Sequence, residues 1–283
     1  MSRRSFLIAS LLLVVAASLY FYFDESKQLV VTEESVSLPD LPSEFQGLRI
    51  VLLSDIHHGF FFPRSYVKEI VERTNALAPD IILLLGDYAY HDNRYIPAVM
   101  EELHGLKAKM GIYAIQGNHD IRMSRALTSQ ELRRNGFQEL TNANIVLERN
   151  GQKLYLAGVD DLQMGHPNLN TALKGCSQDA FVFLMSHHPD FIEEIRDARV
   201  RFVVAGHTHG GQIFLPFIGS PILPSRYGQK YRYGMVHGPQ VNGYVTSGAG
   251  AVFPPIRFRC PPEIARLTLV NPALQSSLHT TTK

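Results

Sequence analysis

The chain has 283 residues, of which 45% are hydrophobic and 19% charged, so it can bury one full globular core but has little left for a second domain. Its 27 basic and 26 acidic residues give a formal net charge of +1. This balance, with no long run of either sign, gives no electrostatic footprint for nucleic acid, which normally needs a concentrated basic face, so nucleic acid is not expected as a partner.

The two cysteines carry no metal-binding signal. Cys176 and Cys260 lie far apart, and neither belongs to a CxxC or another closely spaced pattern. Two interpretations stay open, a disulfide formed outside the cytosol and two small residues of the core.

Residues 1–23 have the composition of a signal or an anchor. Arg3 and Arg4 precede an uninterrupted uncharged run at 5–23, close to the roughly 20 residues that cross a bilayer. The paired arginines followed by Phe-Leu resemble a twin-arginine export signal, with Ile8 in place of the usual lysine, and ordinary Sec-type insertion is the alternative. We favour a retained anchor over a cleaved signal, because the small residues at 16–18 lie inside the run. The arginines predict that the rest of the chain lies outside the cytoplasm.

Residues 24–47 are polar and are expected to form a tether, with an edge strand near 30–37. Beyond Leu48, short apolar runs typical of buried strands alternate with amphipathic stretches typical of helices. The predicted strands are 49–54, 80–85, 111–116, 153–159, 180–186 and 201–205, and the predicted helices are 65–77, 96–106, 128–135 and 189–196. This alternation predicts an α/β domain over residues 48–270.

The pattern changes after Gly210, where only strands are expected. Strand-like pieces at 231–236, 243–246 and 264–270 are separated by Gly- and Pro-rich turns, which predicts antiparallel strands that close a second sheet. Residues 271–283 are polar, and we expect them to be a disordered tail.

Five short polar clusters follow the apolar runs. In chain order they are Asp55-Ile56-His57, Gly86-Asp87, Gly117-Asn118-His119-Asp120, His187 and Gly206-His207-Thr208-His209. Side chains so far apart in sequence can converge where the strands of an α/β sheet run out into loops, which is where such sheets bind ligands. Mixed His, Asp and Asn ligands suit Mn, Fe or Zn better than calcium. The clusters therefore predict a hydrolytic centre with two divalent metal ions.

The clusters match the pattern D-x-H, G-D, G-N-H-[DE], H and G-H-x-H, and on these residues the sequence resembles the calcineurin-like metallophosphoesterase superfamily over about 48–270. The resemblance implies a four-layer αββα sandwich of two mixed β-sheets, here with an N-terminal membrane segment. The segments 187–190, 207–212 and 257–263 resemble the membrane-attached or Tat-exported bacterial phosphodiesterases. That branch implies a location at the bacterial cytoplasmic membrane, with the catalytic domain on the outer side.

The resemblance also implies roles for the ligands. They form two sets and a bridge: Asp55, His57 and His209 for one metal, Asn118, His187 and His207 for the other, and Asp87 between them. A carboxylate suits the bridge because its two oxygens can bind two cations. Two cations roughly 3.5–4 Å apart can generate a metal-bound hydroxide and neutralise charge during in-line attack on a phosphodiester or pyrophosphate bond.

His119 stands beside a ligand and is the candidate to stabilise the transition state and protonate the leaving oxygen. Its orienting partner stays open between Asp120, its neighbour in sequence, and Asp92, in the loop after Asp87. Strand-like alternation at 207–209 predicts an extended loop that sends both imidazoles to one side.

Three further residues are candidates to bind substrate. Arg122 could clamp a phosphate in a bidentate way, Asp161 follows the strand predicted at 153–159, and His58 follows the ligand His57. Each has an opposing interpretation: Arg122 could be a surface arginine, Asp161 a solvated turn carboxylate, and His58 a ring that points away from the site. His188 is an alternative ligand to His187, which we prefer because it lies nearer the end of its strand.

Two apolar segments follow ligand loops, Phe60-Phe61-Phe62 after the first and 214–218 after the last. They could flank the site mouth and suit a lipid-linked substrate, or they could pack the sheet edges. We predict a membrane-anchored phosphohydrolase. One alternative is a UDP-2,3-diacylglucosamine diphosphatase of lipid A biosynthesis. The predicted location outside the cytoplasm opposes it, because that lipid is made on the cytoplasmic side. The other alternative is a membrane-tethered non-catalytic metal-binding protein. The sequence does not indicate an oligomeric state.

Overall fold

The computed structural model describes residues 2–274, with the backbone alone for residues 17–24. Its helices are α1 (Arg3–Asp24), α2 (Arg64–Ala76), α3 (Tyr95–Leu103), α4 (Asn118–Arg134) and α5 (Leu169–Ala172). Its strands are β1 (Val30–Ser37), β2 (Arg49–Leu53), β3 (Ile81–Leu84), β4 (Ile112–Ala114), β5 (Gln138–Glu139), β6 (Ala143–Arg149), β7 (Gln152–Gly158), β8 (Val182–Met185), β9 (Val200–Ala205), β10 (Gly234–His237), β11 (Asn242–Val245) and β12 (Glu263–Val270). The predicted tail from residue 275 onward lies outside the described residues.

Helix α1 covers most of the predicted anchor, and apolar side chains from Phe6 to Val15 are exposed along it. In the part of the chain that the structure describes, no helix combines the length and the apolar character needed to span a membrane. Hydrogen bonds join the residues after α1 to the domain. Ser26 Oγ accepts the backbone N–H of Arg257 (2.8 Å), and a Glu25 carboxylate oxygen accepts that of Arg259 (2.7 Å).

Two six-stranded sheets form the body of the protein. The first has the order β1-β12-β2-β3-β4-β5, and its neighbouring strands are parallel except for β12 and β2. The second has the order β10-β11-β9-β8-β7-β6, with parallel pairs in the centre and antiparallel pairs at both ends. Both sheets are mixed, as predicted.

Successive side chains of a strand point to opposite faces of the sheet, and the two faces pack in different layers of the sandwich. In β2, Ile50 and Leu52 enter the core between the two sheets, whereas Val51 and Leu53 pack beneath α2 and α3. Because both faces of the strand are buried, the run is apolar throughout. The outer face of the second sheet is covered by α5 and by the 3-10 helix Pro189–Glu194. Helical elements therefore lie outside both sheets, although the second helical layer is short.

The last strand does not close the second sheet, contrary to the prediction. Strand β12 lies in the first sheet, parallel to β1 over its whole length and antiparallel to β2. The second sheet receives only β10 and β11, and β11 runs parallel to β9. The alternating pattern of β12 suits either sheet, so long-range pairing decides its place.

Other elements also differ from the prediction, among them α5 and β5, which were not predicted, and the 3-10 helix Gly228–Tyr231, which lies where only strands were expected. Helix α4 begins at Asn118 rather than at 128, and it is kinked at Ser124 (φ −173°, ψ 94°). The segment predicted as a helix at 189–196 is the 3-10 helix Pro189–Glu194. Strand β6 was not predicted, because only Leu147 among its residues is buried and the segment lacks an apolar run.

Two features at the periphery bear on the sequence analysis. The predicted edge strand is β1, which lies at one edge of the first sheet. Cys176 and Cys260 are free thiols, the first half-buried and the second buried. The two cysteines are therefore packed residues and not a disulfide.

Candidate metal centre

The five predicted clusters meet at one edge of the sandwich. Strands β2, β3 and β4 are parallel neighbours in the first sheet, and β8 and β9 are parallel neighbours in the second. Their carboxyl ends therefore point the same way within each sheet. The residues that follow these ends and face one another are Asp55, His57, Asp87, Asn118, His187, His207 and His209.

Most of these residues have backbone in the left-handed region. The angle φ is positive at Asp55 (53°), His57 (48°), Asp87 (56°), His207 (68°) and His209 (52°). Residues other than glycine rarely adopt this conformation, and such strain concentrates at functional sites. The sharp turns let residues two apart in sequence, such as Asp55 and His57, face the same centre.

The prediction of an extended loop at 207–209 is wrong. Thr208 is helical (φ −77°, ψ −16°) between two left-handed histidines, and a 3-10 helix begins at His209. The imidazoles still reach neighbouring groups. His207 Nδ1 lies 3.0 Å from Asn118 Oδ1, and His209 Nε2 lies 3.3 Å from Asp55 Oδ1.

Two glycines allow the loops to approach closely. A Cβ atom on Gly117 would lie 2.3 Å from Asp87 Oδ1, and one on Gly206 would lie 2.0 Å from Ser54 Oγ. Both distances are shorter than any ordinary non-bonded contact. The glycines of the Gly-Asn-His-Asp and Gly-His-Thr-His clusters are thus required by loop packing.

The first set of donor atoms lies between the loops after β2 and β9. Asp55 Oδ1 is 3.3 Å from His209 Nε2 and 3.8 Å from His57 Nε2. The two ring nitrogens face each other at 3.1 Å, with the rings stacked 4.9 Å apart. Asp55 Oδ2 accepts hydrogen bonds from Ser54 Oγ (2.5 Å) and from the backbone N–H of His207 (2.9 Å). These bonds fix the carboxylate so that Oδ1 faces the two rings.

The second set consists of Asn118, His187 and His207. His187 Nδ1 donates to the carbonyl oxygen of Leu85 (2.7 Å), and this bond fixes the tautomer and turns Nε2 toward the site. His187 Nε2 lies 3.2 Å from Asn118 Oδ1, which is also close to the His207 ring. The set therefore offers two ring nitrogens and one amide oxygen to a common point.

Asp87 lies between the two sets. Its Oδ2 is 3.3 Å from His187 Nε2 and 3.6 Å from His57 Nε2. Its Oδ1 accepts the backbone N–H of His119 (2.8 Å). A single carboxylate oxygen thus approaches a ring nitrogen of each set.

The donor atoms fit divalent metal ions. Asp55 Oδ1, which faces the Nε2 atoms of His57 and His209, is buried and has no hydrogen-bond partner among the described residues. A buried polar atom without a partner costs about 1–3 kcal/mol, and a cation held between this oxygen and the two ring nitrogens would relieve that cost. Among the described residues, three groups of His and Asp have ligand atoms within 4.8 Å of one another: Asp55, His57 and His209; His57, Asp87 and His119; and Asp87, His187 and His207. Imidazole and carboxylate donors suit Mn, Fe or Zn.

Electrostatics favours the metal-binding protonation state of three donors, whereas for His187 burial acts to lower the pKa but Asp87 outweighs it and raises the pKa well above the usual value. Burial lowers the pKa of His209 to about 3, although Asp55 acts in the opposite direction. Burial also lowers the pKa of His207 well below its usual value. For Asp55, burial acts to raise the pKa, but His209 and His57 outweigh it and hold the pKa well below the usual range. Neutral imidazoles and ionised carboxylates are the forms that act as ligands.

His119 lies beside the donors. Its ring meets the His57 ring edge-on with centroids 4.8 Å apart, and it lies 5.5 Å from the Tyr90 ring. Burial lowers the pKa of His119 to about 4, with Asp87 acting in the opposite direction. The neutral ring carries one N–H, which can donate to a substrate oxygen.

Neither proposed partner of His119 is hydrogen-bonded to its ring within residues 2–274. Asp120 instead accepts three backbone N–H groups: those of Asp87 (2.6 Å), Tyr88 (3.0 Å) and Gly117 (2.9 Å). Asp92 accepts hydrogen bonds from the backbone and side chain of Arg94. Asp120 therefore ties two ligand loops together, a positioning role that the sequence did not predict.

Arg122 shares a polar cavity with His119. The cavity measures about 320 Å³, and His91 and Asp92 also line it. The exposed guanidinium lies near enough to lower the pKa of His119 slightly, after the larger effect of burial. An arginine at this position can pair with a phosphate in the cavity.

His58 is not brought to the centre. Its Nδ1 lies 2.8 Å from the carbonyl oxygen of Phe62, and its ring packs edge-on against Tyr95 at the start of α3. Because neighbouring side chains of this loop point in opposite directions, His58 faces the helical layer while His57 faces the donors. The substrate role considered for His58 has no support in these contacts.

His188 is likewise displaced from the donors. Its ring stacks on His207 with centroids 4.1 Å apart, and its Nδ1 accepts the backbone N–H of Asp190 (3.3 Å). His187, in contrast, points its Nε2 at Asp87 and Asn118. The geometry supports the preference for His187.

Asp161 is a buried turn carboxylate near the second set. Its Oδ1 accepts the backbone N–H groups of Gln163 (2.9 Å) and Met164 (2.7 Å), and its Oδ2 has no partner in the described part of the chain. Burial raises the pKa of Asp161, and His187 partly offsets this effect. A substrate-binding role for Asp161 stays a prediction.

The two apolar segments divide between surface and core. Phe60 is 86% exposed, whereas Phe62 is buried beneath α2. In the second segment, Phe217 and Ile218 are exposed. Both segments, 60–62 and 214–218, thus expose apolar side chains, and in the first segment Phe62 packs in the core.

Arg257 is a structural residue of the centre that the cluster pattern does not contain. Its side chain is fully buried, and no carboxylate is among its hydrogen-bond partners in the described chain. The guanidinium donates to backbone carbonyl oxygens of three segments: those of Ser247 (2.7 Å), Gly248 (3.2 Å), Gly250 (3.0 Å), Cys260 (3.0 Å) and His209 (3.2 Å). Arg257 therefore holds the His209 loop against the segments at 247–250 and 260.

Replacing Arg257 by methionine should destabilise the protein strongly. The side chain keeps its approximate length, but several buried carbonyl oxygens lose their donor, so the free energy of unfolding should fall by about 3–5 kcal/mol. Urea unfolding followed by circular dichroism measures the change. Arg259→Met is the matched control, because that residue is exposed, and it should change stability by less than about 0.5 kcal/mol. Equal unfolding midpoints for the two variants would contradict the structural role of Arg257.

Comparison with known proteins agrees with this geometry. Residues 48–211 match the family described as calcineurin-like phosphoesterase. The chain belongs to that family. It is therefore a metallophosphoesterase, a hydrolase of phosphate esters, as the cluster pattern predicted.

Three relatives show how this calcineurin-like phosphoesterase compares in length. The Bacillus subtilis (strain 168) protein named uncharacterized metallophosphoesterase YkuE is 33% identical over 95% of this chain and 98% of its own length. The Danio rerio protein named transmembrane protein with metallophosphoesterase domain is 29% identical over 93% of this chain and 62% of its own. Escherichia coli (strain K12) phosphodiesterase YaeI is 29% identical over 78% of this chain and 82% of its own length. The chain thus spans nearly all of the first relative and less than two thirds of the second.

Proposed function

We propose that this metallophosphoesterase is a dinuclear metal-dependent phosphohydrolase that cleaves phosphodiester or pyrophosphate bonds. The position of Asp87 carries the proposal, because its Oδ2 approaches His57 Nε2 (3.6 Å) and His187 Nε2 (3.3 Å). A carboxylate between two sets of ring nitrogens suits two cations about 3.5–4 Å apart. The ligands would be Asp55, His57 and His209 for one ion, Asn118, His187 and His207 for the other, and Asp87 for both.

The residues of the chain would divide the work of binding and proton transfer. When bound, the cations would activate water and neutralise charge on the phosphate. His119 would donate an N–H to a phosphoryl oxygen, and its protonated form, which the negative charge of a bound phosphate favours, would pass a proton to the leaving oxygen. Arg122, in the same cavity, would pair with the phosphate. Asp120 would hold the Asp87 and Gly117 loops in register through its backbone hydrogen bonds.

Membrane attachment through residues 1–23, with the catalytic domain on the outer side, is part of the proposal. It is supported by the basic pair before the uncharged run and by the names of the Danio rerio and Bos taurus relatives. Family membership favours an enzyme over a non-catalytic metal-binding protein. The UDP-2,3-diacylglucosamine diphosphatase of lipid A biosynthesis stays an alternative prediction.

Metal reconstitution tests the proposal. The purified chain is stripped of metal and then supplied with Mn, Zn, Fe(II) or Mg, and hydrolysis of bis(p-nitrophenyl) phosphate is measured beside metal content. We expect no turnover in the stripped protein, and turnover that returns as about two ions bind per chain, because both ions take part in the reaction. Absence of turnover with two ions bound would contradict a general phosphodiesterase.

A further inference from the structure

An apolar cavity opens beside the candidate metal centre. It measures about 260 Å³, and Thr208 and His209 of the last ligand loop form part of its wall. The remaining wall is mainly apolar and comes from two loops: Ile213, Pro221, Ile222, Pro224, Val252 and Phe253. Apart from His209, no ionisable side chain of the described residues lines it. The cavity therefore suits an uncharged, apolar group.

The apolar wall is open to solvent. Ile222 is 83% exposed and Phe253 is 67% exposed, although both belong to a concave surface. Side chains that only packed a sheet edge would be covered. Exposed apolar residues around a cavity are typical of a binding site.

The two loops that form the cavity are fixed to each other. The Gln212 side chain accepts the backbone N–H of Val252 (2.7 Å) and donates to the carbonyl oxygens of Val252 (3.3 Å) and Pro254 (3.1 Å). The backbone N–H of Phe253 donates to Tyr90 Oη (2.9 Å), whose ring lies beside His57 and His119. These bonds hold the two walls of the cavity in a fixed relation to each other, and a fixed cavity limits the entropy cost of binding.

Two cavities of different polarity lie beside the candidate centre, the apolar cavity and the polar cavity that contains Arg122. The His57 ring contacts His209, which lines the apolar cavity, with centroids 4.9 Å apart. It also contacts His119, which lines the polar cavity with Arg122, with centroids 4.8 Å apart. A phosphate at the centre would therefore have an apolar cavity and a polar cavity within reach of its two ester groups.

We propose that the substrate is an amphiphilic phosphodiester whose apolar ester group occupies the cavity beside His209. This inference rests on the proposed function. The occupant follows from the continuity of the cavity with the metal centre and from the mainly apolar character of its lining. In the reaction, a water oxygen forms a bond to phosphorus and the bond from phosphorus to the second alcohol breaks. The products are an alkyl phosphate, the free alcohol and a proton.

A homologous series of substrates tests the proposal. Methyl, butyl and hexyl p-nitrophenyl phosphates share one leaving group and differ only in the apolar ester. With the metal-loaded full chain, kcat/KM should rise about two- to fourfold per methylene that enters the cavity. Calorimetric titration with the matching alkylphosphonates, which do not hydrolyse, should show the same trend in affinity.

Two isoleucines of one loop provide matched variants. Ile222 lines the cavity, whereas Ile218 is 69% exposed and does not. Ile222→Ser should reduce the gain per methylene, and Ile218→Ser should preserve it. Both side chains are largely exposed, so both variants should fold like the parent protein.

The outcomes separate this inference from the proposed function. Turnover that is independent of chain length would overturn the cavity assignment and leave the phosphodiesterase intact. Loss of turnover with every metal, combined with phosphonate affinity that still rises with chain length, would overturn the phosphodiesterase and leave the cavity assignment. An equal gain per methylene in both variants would also overturn the assignment. So would a change in oligomeric state on Ile222→Ser, because it would show that a second copy fills the cavity.

Discussion

Asp87→Asn should reduce kcat for bis(p-nitrophenyl) phosphate by about 10³-fold and lower the number of bound ions, because the variant removes the charge between the two donor sets. Asp87 Oδ2 is the oxygen that approaches both His57 and His187. A neutral amide cannot offset the charge of two cations. Steady-state kinetics beside metal analysis of the same samples measures both effects.

The fold should survive this substitution. Asp87 Oδ1 accepts the backbone N–H of His119, and the amide oxygen of asparagine can accept the same bond. Asp40→Asn is the matched control, because its side chain is 68% exposed and contacts only Arg201 among the ion pairs of the described chain. Thermal unfolding of both variants tests the fold. Full activity and full metal content in Asp87→Asn would contradict the bridging role.

His119→Ala should lower kcat by about 10²- to 10⁴-fold, while metal content stays at the parent level. The His119 ring contacts the rings of His57 and Tyr90, but it is the backbone N–H that bonds Asp87. Alanine keeps that N–H, so the donor atoms should remain in place. The loss should therefore fall on kcat and not on metal affinity.

Chemical rescue distinguishes proton transfer from a purely structural role. The space left by the ring opens into the polar cavity of about 320 Å³, which added imidazole can enter. We expect imidazole to restore part of kcat in His119→Ala and to leave His104→Ala, an exposed histidine at the end of α3, unaffected. If His119→Ala kept parental kcat, or if metal were lost with it, the assigned role would be wrong.

Local sequence pattern was sufficient to find the side chains that the fold brings together. Each cluster follows an apolar run, and the position of a residue after a buried strand is a property of a few neighbouring residues. Asp55, Asp87 and His187 all converge as this rule predicts. The rule also separated His187 from His188, since the residue nearer the strand end is the one that faces the site.

Local sequence pattern did not predict the contacts between distant segments. Arg257 bonds carbonyl oxygens of His209 and of residues 247–250 and 260, and no periodicity marks an arginine that packs against backbone. Asp120 appeared in sequence as a neighbour of His119, but its carboxylate turns to the backbone of the β3 loop. Both roles depend on which loops become neighbours in space.

The sequence by itself determined the α/β alternation, the family and which His, Asp and Asn side chains converge, because these follow from local periodicity and short motifs. Only the tertiary structure decided that β12 enters the first sheet and that the loop at 207–209 turns instead of extending. Strand partners and left-handed backbone are imposed by contacts far apart in the chain, and the same local sequence is compatible with several choices. The apolar cavity beside His209 arises in the same way, since two separate loops must meet to form it.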